Sequence, residues 1–198
     1  MKSFHNKIFV LCAIIFSVFN FCIAQSIDAH KLSDKIYQLN DEHKYDQSII
    51  ILQEIIDDEK STFYDKYIAY LNKSFTYKRV FNYTEASANL ELALEEGLKS
   101  DRKDEVEARI AVENLFIQFD LQKFDIVNTL LKDVDKYNLE LLDDVTKGHY
   151  ISLLAVIDLQ KKDYSSADQK LDQCIDIFEK VSRKNLPNIY NKKMLVYE

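Results

Sequence analysis

One sequence pattern recurs four times along this chain and constrains its fold more than any other feature. In each copy, an aromatic residue is followed three positions later by a small or β-branched residue. The four pairs are Tyr45 and Ser48, Tyr83 and Ala86, Phe124 and Val127, and Tyr164 and Ala167. The aromatic residues lie 38, 41 and 40 positions apart. Fixed periods of roughly 20–50 residues are typical of solenoids built from stacked repeats.

The scarcity of turn-forming residues indicates that these repeats are helical. The 198 residues include only two glycines and one proline, whereas sheets need many turns, which favour Gly, Pro, Asn and Asp. No segment after residue 26 shows the sustained alternation of apolar and polar residues that a half-buried strand requires. We therefore predict nine helices joined by short polar loops. Their predicted ranges are 27–43, 46–59, 62–81, 84–97, 101–121, 124–137, 143–161, 165–183 and 188–198.

Residues of similar size recur at matching places around each aromatic residue. In the second unit they are Tyr70, Ser74, Tyr77, Ala86, Leu90 and Ala93. The matching residues are Leu32, Ile36, Leu39, Ser48, Leu52 and Ile55 in the first unit, and Ile151, Ala155, Ala167, Leu171 and Cys174 in the fourth. The pattern is broken by Leu115 and Gln118 in the third unit and by Asp158 in the fourth. Small residues at these places would let the two helices of a hairpin approach closely.

This arrangement resembles the tetratricopeptide repeat (TPR), in which a large, a small and an aromatic residue mark the first helix and Ala-x3-bulky marks the second. The resemblance covers about residues 27–198. It implies an all-α, right-handed superhelical solenoid of antiparallel helix hairpins, with about four hairpins and a lone final helix. The period of about 40 residues exceeds the usual 34 and is similar to the extended variant in sensor regions of bacterial regulators. Other solenoids of helix hairpins are also compatible with the pattern.

The N-terminus has the three parts of a secretory signal. Lys2 and Lys7 supply the positive start, residues 8–19 are almost entirely apolar, and Cys22 and Ala24 precede a plausible cleavage point. We therefore predict a signal helix that is removed as residues 1–24, export to the periplasm or cell envelope, and a TPR-like domain over residues 25–198.

Two alternatives to a cleaved signal are less favoured. An uncleaved anchor would need about 20 apolar residues, more than residues 8–23 provide. A lipoprotein signal usually has small residues before its cysteine, whereas Phe19-Asn20-Phe21 precedes Cys22.

The charge and cysteine content of the mature segment narrow the function classes. Of the 26 basic residues, 24 remain once Lys2 and Lys7 are removed, and they face 33 acidic residues, which gives a net charge of −9. This balance disfavours direct binding to nucleic acid or anionic lipid. The one remaining cysteine, Cys174, matches Ala93 in the repeat, so we predict a small buried residue rather than a nucleophile.

No residue pattern indicates a catalytic, cofactor or metal site. His30, His43 and His149 form no pair spaced by four residues, whereas a zinc site needs three or four converging ligands. The sequence also lacks a glycine-rich phosphate loop and a G-x-S-x-G motif. We therefore expect a non-enzymatic protein with no cofactor and no metal.

Several residues are of the types that cap the beginning or end of a helix. Ser61 and Asp101 are predicted N-caps, and Asp143 is placed to complement the start of a helix. Gly97 is predicted to end a helix as a glycine C-cap, with Leu98 making the accompanying packing contact.

The TPR resemblance implies a partner-binding surface. In TPR proteins the first helices of successive hairpins line a concave groove that holds a peptide or a partner helix. The matching positions are Phe75, Lys78, Arg79, Arg109, Val112, Phe116, Phe119, Ser152, Val156 and Leu159. We predict that a protein or peptide binds at Phe75, Lys78, Arg79, Arg109, Phe116 and Phe119, because aromatic residues and arginine anchor interfaces. The alternative is that Phe75 and Phe116 only pack between hairpins.

The resemblance also implies a role. It favours a protein–protein interaction module of the bacterial cell envelope, as the sensor or scaffold part of a larger regulator; a free-standing periplasmic assembly or scaffold protein is the alternative. Residues 187–198 begin a helix that has no second helix to cover Tyr190, Met194 and Tyr197. We therefore expect this segment to fray or to drive association, and the natural chain to continue beyond Glu198.

Overall fold

A computed structural model describes residues 27–197, so the predicted signal segment and the start of the mature chain lie outside the described residues. The described part is all-α, without a strand, and contains nine α-helices that pack against neighbouring helices. These are α1 Ala29–Asp41, α2 Tyr45–Asp57, α3 Phe63–Arg79, α4 Tyr83–Gly97, α5 Lys103–Asp120, α6 Phe124–Val134, α7 Asp144–Gln160, α8 Tyr164–Val181 and α9 Leu186–Met194. Two 3-10 turns, Leu139–Leu141 and Arg183–Asn185, precede α7 and α9. Each of these helices matches a predicted range to within four residues at either end.

Four hairpin turns show that the repeat register was predicted correctly. Each hairpin joins its two helices through three residues, and the recurring aromatic residue is the first residue of the second helix. The middle turn residue is left-handed in every case, with φ between 57° and 62°. These four residues, His43, Phe81, Gln122 and Lys162, repeat the spacing of 38, 41 and 40.

The same backbone hydrogen bond closes each turn. The residue after the left-handed one donates its N–H to the carbonyl five positions earlier, at 2.8–3.0 Å. The four bonds join Lys44 to Leu39, Asn82 to Tyr77, Lys123 to Gln118, and Asp163 to Asp158. A left-handed residue directly after a helix is usually glycine. None of these four turns contains glycine, so the sequence did not predict their conformation.

Small residues bring the two helices of a hairpin together, as predicted. Ala86 and Ala167 are fully buried, and so is Ser48. In the second hairpin, Ser74 Oγ donates a hydrogen bond of 2.7 Å to the Ala86 carbonyl, which is direct evidence of the close approach. Cys174 is also buried and donates from Sγ to the Gly148 carbonyl at 3.3 Å, which confirms its packing role.

Both glycines serve close packing rather than turns. A Cβ on Gly97 would lie 2.5 Å from Cγ1 of Val106, and one on Gly148 would lie 2.6 Å from Cζ of Phe178. Neither glycine has a positive φ. The prediction that Gly97 forms a glycine C-cap was therefore wrong: it is the last helical residue of α4, and the cap residue Leu98 is right-handed.

Two predicted N-caps were wrong by one residue. Thr62, not Ser61, caps α3, in a reciprocal capping box with Asp65. The residue before α5 is Arg102 rather than Asp101, and its side chain makes no capping hydrogen bond. Asp143 does cap α7, since its carboxylate accepts the Thr146 N–H at 2.9 Å.

The residues that break the repeat pattern have local structural explanations. Asp158 takes a place where the second unit has Tyr77, and it accepts a hydrogen bond from Ser166 Oγ at 2.7 Å and pairs with Lys170 at 2.5 Å. Polar contacts thus replace apolar packing between α7 and α8. Gln118 is less well accommodated, because its buried Oε1 has no hydrogen-bond partner within the described residues.

The last helix rests on the preceding hairpin. Ile189 is only 2% exposed, and Tyr197 Oη donates to Asp168 at 3.1 Å. Four large side chains at this end are exposed, as the sequence indicated: Tyr190, Met194, Leu195 and Tyr197. Whether this end frays or associates stays a prediction for hydrogen exchange.

Candidate functional site

The candidate site lies along the first helices of successive hairpins, and we call it the first-helix face. It is defined by Phe75 and Lys78 on α3, Arg109 and Phe116 on α5, His149 on α7, and Lys192 on α9. Four of these six residues were predicted from the sequence.

An aromatic and cationic strip connects the second and third hairpins. The Lys78 ammonium lies 5.2 Å from the ring centroid of Phe116 and 5.9 Å from that of Phe75. The Arg109 guanidinium lies 5.7 Å from the Phe75 ring. These distances are within the range of cation–π attraction. Both phenylalanines are partly exposed, so packing between hairpins buries only part of each side chain.

Arg109 is held in place by two carboxylates rather than free to bind a partner. Its Nε contacts Glu113 at 3.0 Å, and a terminal nitrogen contacts Asp143 at 2.6 Å. Burial opposes ionisation of Asp143, but Arg109 and hydrogen bonds from Thr146 hold its pKa below the usual value. The Arg109 side chain is 20% exposed, and its principal role is to join α5 to the start of α7.

Arg79 and Phe119 lie near the hairpin turns, away from the centre of the face. Arg79 pairs with Asp41 at 2.5 Å and stands over the Tyr37 ring at 5.4 Å. Lys184, which precedes α9, lies 3.9 Å from the centroid of the same Tyr37 ring. Phe119 packs edge-on against Phe124 at 5.9 Å.

The remaining groove positions are unevenly accessible. Val112 is fully buried, so its predicted place in the groove was wrong. Ser152 is 1% exposed but accepts a hydrogen bond from Lys192 Nζ at 2.6 Å. Val156 and Leu159 are half-buried on α7.

His149 and Lys192 are the site residues that sequence reasoning missed. The repeat register contained the signal, because His149 follows Arg109 by 40 positions and Lys192 follows Ser152 by 40. His149 is exposed, and its ring packs against Phe178 with centroids 5.1 Å apart.

His149 is exposed to solvent, and charged side chains from three other helices act on it. Its pKa is below the usual value, first because the surrounding protein desolvates it. The charges of Lys192, Lys78 and Arg109 lower the pKa further, while Glu113 raises it. The pKa of Lys192 is likewise lowered by desolvation.

At the other reactive side chain, Cys174, the effect of burial outweighs the charge of Lys192, which lowers the thiol pKa. Burial raises the pKa of the Cys174 thiol to about 12, whereas reactive cysteines sit in electropositive, partly exposed places that lower it. Within residues 27–197, no three His, Cys, Asp or Glu side chains are grouped closely enough to hold a metal ion. None of the described helices combines the length and apolarity needed to cross a membrane.

Comparisons with known proteins yield no relative: no family model, curated protein or solved structure matches the chain. The packing of adjacent helices described above is compatible with a TPR-like fold.

Proposed function

We propose that this chain is an exported, non-enzymatic interaction module of the cell envelope, the sensor or scaffold part of a larger regulator. In this proposal the hairpins are TPR-like and form a right-handed superhelix. The first-helix face is its concave wall, and a protein or peptide segment lies along it. The four equivalent turns support the repeat architecture.

One observation carries the proposal: the position of Lys78 between Phe75 and Phe116. These rings belong to neighbouring hairpins, and a single ammonium lies within 6 Å of both. The two first helices therefore present one continuous strip of half-exposed aromatic and cationic groups. Aromatic residues, including phenylalanine, are enriched in interfaces, whereas a purely structural seam would be apolar and closed.

Site-specific photocrosslinking in cells tests the proposal. A photoreactive aromatic residue placed at Phe116 should give a discrete adduct with one partner protein. The matched control places the same residue at Ile126, which is 44% exposed on the second helix α6. Adducts of equal yield at both positions, or none at Phe116, would contradict binding at the first-helix face.

Export is tested separately by N-terminal sequencing of the mature protein. The proposed cleavage predicts a chain that begins at Gln25. A product that keeps residues 1–24 in the membrane would show that the segment is an anchor.

A further inference from the structure

Two short segments of the chain have the sequence of an acceptor for N-linked glycans. The motif is asparagine, any residue except proline, and then serine or threonine, and it marks surface loops of secreted proteins. One segment is residues 72–74, Asn-Lys-Ser, within α3, and the other is residues 82–84, Asn-Tyr-Thr, at the turn between α3 and α4. Both match the motif equally well, so only their structural settings distinguish them.

The segment within α3 is closed to modification. Asn72 is 3% exposed, and its Nδ2 group donates both of its hydrogens, to the Ile68 carbonyl at 2.9 Å and to Ser33 Oγ at 3.2 Å. The Ser74 hydroxyl is also engaged, since it donates to the Ala86 carbonyl at 2.7 Å. A glycan on Asn72 would displace these hydrogen bonds and open the contacts of α3 with α1 and α4. The folded protein therefore cannot carry a glycan there.

The segment at the turn has the opposite character. Asn82 and Thr84 are both exposed. The Asn82 Oδ1 atom accepts the Glu85 N–H at 3.2 Å and caps α4. Within residues 27–197, neither Asn82 Nδ2 nor the Thr84 hydroxyl makes a hydrogen bond. The side chain is therefore held through its oxygen, while the nitrogen that bears the sugar in an N-linked glycan has no partner in this part of the chain.

The residue before this segment is an exposed aromatic residue in a strained conformation. Phe81 is 79% exposed, and its φ of 59° lies in the left-handed region that bulky residues rarely adopt. The turn does not require phenylalanine, since the equivalent turns have His43, Gln122 and Lys162 at this place. Persistent backbone strain points to a function rather than to folding. An exposed ring beside a glycosylated asparagine can pack against the apolar C–H face of a sugar, which removes both surfaces from water.

We propose that the exported protein carries an N-linked glycan on Asn82 and that the first sugar of this glycan packs on the ring of Phe81. The inference rests on the export that is part of the proposed function. It assigns a modification site at a hairpin turn, and the substrate class is a lipid-diphosphate-linked sugar donor.

The transfer consumes only the amide nitrogen of the side chain. Asn82 Nδ2 forms a bond to the anomeric carbon of the sugar donor, and the bond from that carbon to the diphosphate breaks. The lipid diphosphate leaves, and Nδ2 releases one proton to a base of the glycosyltransferase. Nothing is oxidised or reduced. The Oδ1 atom remains an acceptor for the Glu85 N–H, so the modified residue still caps α4.

The experiment maps the modification on the full chain isolated from cells that produce it naturally. The intact mass is measured, and proteolytic peptides are compared before and after an amidase removes N-linked glycans in heavy-oxygen water, because this cleavage leaves a labelled aspartate. Asn82→Gln and Thr84→Ala should abolish the modification, whereas Thr84→Ser should retain it because it keeps the motif. Asn138 is the matched control, since it is exposed and caps a 3-10 turn through Oδ1 but does not begin the motif.

We expect a glycan on Asn82 and none on Asn72 or Asn138. NMR spectra of the glycoprotein should show nuclear Overhauser contacts between the first sugar and the Phe81 ring, and Phe81→Ser should abolish them. An unmodified Asn82, a glycan on Asn72 or Asn138, or a first sugar without contact to the Phe81 ring would overturn the inference.

The N-terminus of the same sample distinguishes failure of this inference from failure of the proposed function. A chain that begins at Gln25 and has an unmodified Asn82 would overturn the glycan and leave the proposed export standing. A chain that retains residues 1–24 in the membrane and has an unmodified Asn82 would overturn both.

Discussion

The four left-handed turn residues allow a direct test of the repeat architecture. At Gln122 and Lys162 the structure places a side chain in a backbone conformation that favours glycine, with φ of 57° and 62°. Neither side chain makes a hydrogen bond or an ion pair with another residue in the described part of the chain. Changing these residues to glycine therefore relieves a steric cost without removing a polar side-chain contact within the described part of the chain.

The expected magnitude follows from two opposing effects. A Cβ in the left-handed region costs roughly 1–2 kcal/mol, whereas the extra freedom of glycine in the unfolded chain costs roughly 0.5–1 kcal/mol. Each substitution should therefore stabilise the fold by about 0.5–1 kcal/mol. The two turns belong to different hairpins, so the effects should add. For a domain of this size, the double variant should melt about 3–6 °C higher.

The neighbouring lysine provides a matched control. Lys161 is also exposed, but it has φ of −81° and ψ of −3°, an ordinary right-handed conformation. Lys161→Gly makes the same change in charge and side-chain size as Lys162→Gly, yet it gains no steric relief and should destabilise by roughly 0.5–1 kcal/mol. Thermal and urea unfolding measure both. If Lys162→Gly destabilises as much as Lys161→Gly, the turn is not left-handed at Lys162 and the assigned register is wrong.

Three further substitutions probe the packing and the polar contacts. Gly148→Ala should destabilise by about 1–3 kcal/mol in chemical unfolding, since its Cβ would lie 2.6 Å from Phe178, and Phe178→Leu in that background should recover part of the loss. Asn40→Ala should cost about 1–3 kcal/mol, because the buried Ser48 hydroxyl loses its acceptor and the Thr76 hydroxyl loses one donor, although it keeps its own bond to the Asn72 carbonyl; no change in the unfolding midpoint would contradict the buried network. Burial raises the pKa of Asp158, but hydrogen bonds from Lys170 and Ser166 outweigh it and hold the pKa below the usual value. The ionised carboxylate therefore stabilises the fold fully above the unfolded pKa of about 3.9, and this stabilisation is lost as the pH falls through the lower folded pKa. Asp158→Asn should flatten that acid dependence, and an unchanged pH profile would refute it.

The positions of the helices could be predicted from the sequence because the residues that pack between helices recur at regular intervals. The aromatic residues at 38, 41 and 40 residue intervals mark the first residue of each second helix. The turn geometry could not be predicted, because the left-handed positions are filled by His43, Phe81, Gln122 and Lys162. Gly97 was misjudged for a related reason: a glycine near a helix end can serve either a turn or a close contact, and only the position of Val106 decides between them.

The candidate site was harder to predict because it depends on contacts between hairpins. Arg109 has the composition of a binding residue, but the Asp143 carboxylate that engages it is 34 positions away. No local sequence pattern predicts an ion pair between residues so far apart in the chain. His149 and Lys192 were within reach of the repeat register, since each matches a groove position one period earlier.

The hairpins use different chemistry at one equivalent position, and this explains why a consensus describes them poorly. The second hairpin has Tyr77 there, and the fourth has Asp158, which is bound by groups on the facing helix. In the third hairpin, the buried Oε1 of Gln118 has no hydrogen-bond partner among residues 27–197. Each choice is coupled to its partner across the hairpin. An aromatic residue in place of Asp158 would leave Lys170, whose side chain is 27% exposed, without its carboxylate, so that change also calls for a substitution at Lys170. Each hairpin thus keeps the same turn and helix spacing while the residues between its two helices differ. The repeat is therefore easier to recognise in the backbone than in the sequence.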